Sequence, residues 1–264
     1  MAKWQSGFVE VKDGRLAYHR TGGPGPSLVL SHGFTDNGLC WSRLAAALEG
    51  DFDIIMLDAR GHGQSTRMSA DAPYDAAEDL ATAISALGLA MPVIMGHSVG
   101  GRASAAYANA HLGQVAKVVL EDPAFAPMPV AAAVEKRRER FRKQVETFHT
   151  MTNDQIIAMG KAQSPKWHDD DFPAWAASKL AVDPAAVPLY LSPWQGTIDQ
   201  IDVPTLIVHG DPDLGGMITA DITQEARSIN PNITTVMING AGHNTRRENF
   251  TEFLKVVKQF LLTP

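Results

Sequence analysis

Cysteine is almost absent from the 264 residues: Cys40 stands alone. That excludes an intrachain disulfide and any zinc cluster built on cysteines, and it fits a reducing compartment. A basic excess is also missing. With a formal net charge of −6 and a pI near 5.8, the chain has no field to attract nucleic acid. Its one dense basic run, Lys136 to Lys143, alternates with Glu135 and Glu139 in the manner of a solvated helix face. No apolar run approaches the length of a membrane span, and Met1 to Gly14 holds no signal-like apolar core. A cytoplasmic protein without a membrane partner is therefore expected. No histidine pair has zincin spacing, and Thr21-Gly22-Gly23-Pro24-Gly25-Pro26 lacks the Gly-Lys-Ser/Thr ending of a phosphate loop. Neither a metal nor an organic cofactor is expected.

What is present suits a sizeable core, since 45% of the residues are hydrophobic. Short apolar runs alternate with helical segments through the first half, which predicts an α/β protein with a mostly parallel central sheet flanked by helices. Strands are predicted at Phe8 to Val11, Leu16 to Arg20, Ser27 to Ser31, Asp53 to Leu57 and Val93 to Met95, and helices at Trp41 to Leu48, Ala76 to Leu87 and Arg102 to Ala110. Between the last strand and the last helix of that series lies Gly96-His97-Ser98-Val99-Gly100-Gly101. A Gly-x-Ser-x-Gly pattern has mechanical meaning in this setting, because side-chain-free residues let a strand turn sharply into a helix with a serine hydroxyl at the apex. The helix beginning just beyond presents unpaired amides where negative charge would develop.

A serine hydroxyl needs a base to become nucleophilic at neutral pH. Gly240-Ala241-Gly242-His243-Asn244 supplies a histidine on a loop, after a strand-like run from Thr234 to Ile238 and before an amphipathic helix from about Arg247 to Leu262. The carboxylate that would orient it has two candidates. Thr205 to Val208 ends in His209-Gly210-Asp211-Pro212-Asp213, and Asp213 is the preferred choice, with Asp211 fixing the turn. The competitor is Asp122, in Leu120-Glu121-Asp122-Pro123 after the nucleophile helix and its following strand.

With Ser31-His32-Gly33-Phe34, Asp58-Ala59-Arg60-Gly61-His62-Gly63-Gln64-Ser65, the Ser98 elbow and the His243 loop in hand, the chain resembles the α/β-hydrolase superfamily over nearly its whole length. The resemblance implies an oxyanion hole made by the amides of Phe34 and Val99. It gives His32 a loop-shaping role and makes the stretch from Asp58 to Ser65 a structural loop beside the site. It leaves open ester, lactone, amide and carbon-carbon bond hydrolysis, cofactor-free peroxidase chemistry, and a lactone-binding receptor with residual hydrolysis.

After Pro123 the alternation gives way to helices interrupted by prolines, which predicts a helical cap (124–200) inserted after the sixth strand into a core formed by 1–123 and 201–264. Candidate cap helices are Val130 to Phe148, Asn153 to Ala162 and Phe172 to Val182, with Pro165, Pro173, Pro184, Pro188 and Pro193 between and within them. Trp167, Trp175, Trp194 and Phe125, with Met128 and Met159, are candidates to line an apolar substrate pocket, although such residues more often pack a core. The leading expectation is hydrolysis of a small to medium hydrophobic ester or lactone through an acyl-enzyme, by a monomer or homodimer.

Overall fold

The chain forms eight strands: β1 (Gln5–Val11), β2 (Gly14–Arg20), β3 (Ser27–Ser31), β4 (Asp53–Leu57), β5 (Val93–His97), β6 (Lys117–Glu121), β7 (Thr205–His209) and β8 (Ile233–Met237). They build one sheet in the order β1-β2-β4-β3-β5-β6-β7-β8, antiparallel at β1-β2 and β2-β4 and parallel from there on. The helices are α1 (Ser42–Leu48), α2 (Ala76–Ala86), α3 (Val99–Ala110), α4 (Ala131–His149), α5 (Asn153–Gln163), α6 (Asp171–Leu180), α7 (Ala220–Ile229), α8 (Thr245–Glu248) and α9 (Phe250–Leu262). This computed structural model describes residues 4–68, 74–126, 131–187 and 192–263.

Successive side chains of a strand point to opposite faces, and here both faces are covered, so the inner strands are apolar throughout. Val29, Ile55, Ile94, Val118 and Ile207 face one layer with Leu80 and Ile84 of α2, Ala105 and Ala108 of α3 and Ile222 of α7. Their neighbours Leu28, Ile54, Met95, Val119 and Leu206 face the other, with Leu44 and Leu48 of α1 and Phe253, Val257 and Leu261 of α9. The four-residue spacing of that last trio makes a single stripe on α9. Helix α7 escaped the sequence reading because only Ile222 and Ala226 of it are buried.

The helix predicted as continuous from about Arg247 is two. Asn249 leaves helical geometry (φ −144°, ψ 71°) and its side chain accepts from the Glu252 amide, capping α9. Between β6 and β7 the chain runs through α4, α5 and α6, with α5 started by a reciprocal Thr152–Gln155 capping box. Val145, Val182 and Ala186 of this stretch pack on Phe34 and Met68, which follow β3 and β4. Met128, Val130 and Pro188 lie outside the described residues. No helix among the described residues is long and apolar enough to cross a membrane.

At the β5–α3 junction a Cβ on Gly96 would lie 2.3 Å from the Gly100 carbonyl oxygen, and one on Gly100 would lie 2.4 Å from the oxygens of both Ser31 and His32. These are backbone atoms that cannot swing aside. Gly100→Ala is expected to cost about 3 kcal/mol, read as a fall in Tm of roughly 6–12 °C; an unchanged Tm would show that β3 and α3 can separate freely.

Candidate active site

Among the described residues, three of the five non-glycine residues with left-handed φ sit where strands end on one rim: Thr35 (66°) after β3, Ser98 (53°) after β5 and Asp122 (39°) after β6. Such backbone persists only where the surroundings over-determine it, and it gathers at functional sites. Ser98 is buried at the elbow with ψ −115°, directly before the first turn of α3. The loop after β3 runs against it, since a Cβ on Gly33 would lie 3.4 Å from the Ser98 Cβ.

His243 is brought to the same place. The imidazole of His97, the residue before Ser98, lies 4.7 Å from the His243 ring, and its Nε2–H donates to the His243 carbonyl at 3.0 Å. Burial, with Arg246 and His243 adding to it, holds the His97 pKa well below the ordinary value, so this contact comes from a neutral ring. Glu248 accepts from the amides of Gly242 and Asn244, clamping the chain on either side of His243.

The carboxylate against His243 is Asp122, with Oδ2 2.6 Å from Nδ1. This corrects the preference for Asp213, which stands exposed in the short turn Pro212–Leu214. The physical reason is a division of labour in the loop after β7. Asp211 turns its carboxylate onto the Asp213 amide at 2.9 Å, as a turn-former should. The same loop then offers backbone donors to Asp122, from Met217 at 2.9 Å and Gly210 at 3.4 Å. Asp122 is fully buried with its oxygens on these amides and on His243. A donated Nδ1–H fixes the histidine tautomer and leaves Nε2 as the acceptor.

Beneath the rim lies an ion network that sequence reading did not foresee. Asp36, two residues after Phe34, takes Lys179 of α6 at 2.8 Å, Arg247 at 2.9 Å and Arg246 at 3.2 Å. Arg246 continues to Glu121 at 2.8 Å, beside Asp122, and Glu121 also accepts from Thr245. All five charged side chains are nearly fully buried. Burial alone would raise the Asp36 pKa, but Arg247, Lys179 and Arg246 together hold it well below the carboxylate range. The network thus joins the loop after β3, the end of β6 and the chain after His243 to the inserted helix α6.

The amides of Phe34 and Val99 donate to no group among the described residues. Both residues line a cavity of about 340 Å³ whose walls include Leu16, Leu57, Leu80, Ala103 and Ala106 together with the polar Asp58, His62 and Arg102. The four aromatic residues considered for a pocket are not in its walls. Phe125 and Trp194 stack on each other at 4.8 Å, both buried, while Trp167 and Trp175 meet Phe172 in an aromatic cluster of the insertion. They are packing residues here, as tryptophan at helical spacing usually is.

In the loop after β4, Asp58 accepts from the amides of Gly38 and Gln64, and Arg60 pairs with Asp79 of α2 at 2.6 Å and with the Lys12 carbonyl. The His32 ring bridges the Gly33 carbonyl and the Ala59 amide, tying the loops after β3 and β4 together. Among the described residues no group of three or more His, Cys, Asp or Glu side chains is placed to hold a metal ion.

The chain is similar to several known proteins. N-formylmaleamate deformylase of Pseudomonas putida is 27% identical over 98% of this chain and 97% of its own. A non-heme haloperoxidase of Rhodococcus erythropolis is 28% identical over 78% of this chain and 81% of its own. The crystal structure of E-2-(acetamidomethylene)succinate hydrolase superposes with a TM-score of 0.81 at 23% identity, covering 98% of this chain and 100% of that one. A family model described as alpha/beta hydrolase fold matches residues 26–246, spanning the sheet, the Ser98 elbow and the His243 loop, and the chain belongs to that family.

Proposed function

We propose that the protein is a serine hydrolase of a carboxylic ester or lactone, with Ser98 as nucleophile, His243 as base and Asp122 as the acid that orients it. The observation that carries this reading is the 2.6 Å contact between Asp122 and His243 Nδ1 beside a serine elbow. His243 Nε2 takes the Ser98 proton as Oγ attacks the carbonyl carbon, and the amides of Phe34 and Val99 receive the developing oxyanion. His243 then hands its proton to the leaving oxygen. Water, deprotonated by the same imidazole, attacks the acyl-enzyme and releases the acid, which returns Ser98 to its starting state. Asp122 keeps the imidazole in the required tautomer and stabilises its charged form. The leucine and alanine side chains in the walls of the cavity favour an apolar portion on the substrate.

A second reading, hydrolysis of an amide by the same steps, is favoured by the full-length relative that is named a deformylase. Both readings share one test. Incubation with a fluorophosphonate is expected to add a single adduct mass to the wild type and none to Ser98→Ala. A wild type that stays unlabelled, or an adduct that survives the substitution, would defeat both.

A further inference from the structure

The basic run of α4 reads in sequence as a solvated face, and part of it is one. Arg138 pairs with Glu135 at 3.8 Å, Lys143 with Glu139 at 3.4 Å, and Arg142 with Glu139 and with Glu146. Arg137 and Arg140 differ. Neither has a carboxylate partner or a hydrogen bond among the described residues, and both guanidinium groups gather on one ring, 5.4 and 5.0 Å from the centroid of Phe141. Phe141 in turn meets Phe34 edge-on at 5.0 Å, and Phe34 follows Gly33, on which a Cβ would lie 3.4 Å from that of Ser98. Arg137 lies one turn before Phe141, on the helix face that buries Val145 and Phe148 further along.

The Arg137 Nε is out of reach of solvent with no acceptor. A buried donor left unpaired carries a desolvation cost that a ligand can remove. A guanidinium fork is also the group best matched to a carboxylate. At long range the net charge of −6 works against an anion, which leaves local cations to provide the attraction. We propose that Arg137, assisted by Arg140, binds a free carboxylate of the substrate, so that the scissile ester or amide belongs to a molecule carrying a second, acidic end.

The inference rests on hydrolysis at Ser98 and can be separated from it. Two chromogenic or ultraviolet-detected pairs serve: mono-4-nitrophenyl adipate with its methyl ester, which carries the charge on the acyl side, and 4-carboxyphenyl butyrate with its methyl ester, which carries it on the leaving group. In at least one pair the wild type should favour the acid in kcat/KM, and Arg137→Met should lower the acid-to-methyl-ester ratio about ten- to hundredfold. Arg137→Lys should recover part of the loss and Arg137→Glu should deepen it. Ratios near one in the wild type, or ratios that Arg137→Met leaves unchanged in both pairs, would overturn the assignment while leaving the hydrolase reading intact. Should Ser98 resist the fluorophosphonate, adipate still decides: it should raise the Tm of the wild type more than dimethyl adipate does, and the difference should vanish in Arg137→Met. Equal effects of the two compounds on the wild type would refute it.

Discussion

Asp122→Asn is expected to lower kcat/KM for a 4-nitrophenyl ester by about ten-thousand-fold, and Asp213→Asn to leave it within about twofold. The first figure is the general effect of an amide in the acid's place, where the side chain fits but favours the wrong imidazole tautomer. Geometry makes the contrast sharp. Asp122 is fully buried, accepts two backbone amides and lies 2.6 Å from His243 Nδ1, whereas Asp213 is exposed on a turn. An asparagine would set its NH2 group against one of the two donors that Asp122 now accepts from, the amides of Gly210 and Met217, or against the Nδ1–H of His243. Thermal unfolding of each variant should accompany the kinetics, so that lost activity is not confused with lost fold. Near-equal losses at the two positions, or a larger loss at Asp213, would return the acid to the loop after β7.

The second large effect is acid lability. Burial keeps His62, His97 and His32 from taking up a proton, and it drives the His62 pKa from 6.5 down to about 3, with His32 nearby adding to the shift. The unfolded chain binds those protons at ordinary pKa values. Stability from these groups is therefore fully present above about pH 6.5 and drains away as the pH falls through the window below it. At pH 5, His62 alone withdraws about 2 kcal/mol, a fall in Tm of roughly 4–8 °C, and His97 and His32 act in the same direction. His62→Asn keeps a donor for the Arg60 carbonyl that His62 Nδ1 now meets at 3.0 Å and removes the titration. Its Tm should change less between pH 7.5 and pH 5 than that of the wild type. Parallel curves for the two proteins would rule out His62 as a source.

The parts legible in the sequence were those fixed by local geometry. Ser98 could be read because Gly96 and Gly100 answer to backbone oxygens only a few ångströms away, and the inner strands because a sheet covered on both faces admits little but apolar residues. Asp122 was harder. Which carboxylate faces a histidine depends on whether the neighbouring loop turns a side chain or a backbone amide inward, and the loop after β7 turns its amides. Asp211 follows a local rule and was read correctly as a turn-former. The network of Asp36, Glu121, Lys179, Arg246 and Arg247 left no local trace at all, since its partners stand as far as 211 positions apart. The four aromatic residues had the composition of a pocket and the contacts of a core, a distinction that only packing reveals.

Helix α6 reaches the loop after β3 through two donors to one acceptor: Ser178 Oγ and Lys179 Nζ both bind the Thr35 carbonyl, at 2.9 and 3.0 Å. Thr35 follows Phe34 directly and holds a left-handed φ of 66°, so its peptide orientation depends on that grip. The seating of the helix is thereby linked to the path of the loop that leaves Phe34. On the proposed mechanism, displacement of α6 would release the Thr35 carbonyl and loosen the loop that carries the Phe34 amide. A substrate that strained this seating would then be expected to lose more in turnover than in affinity.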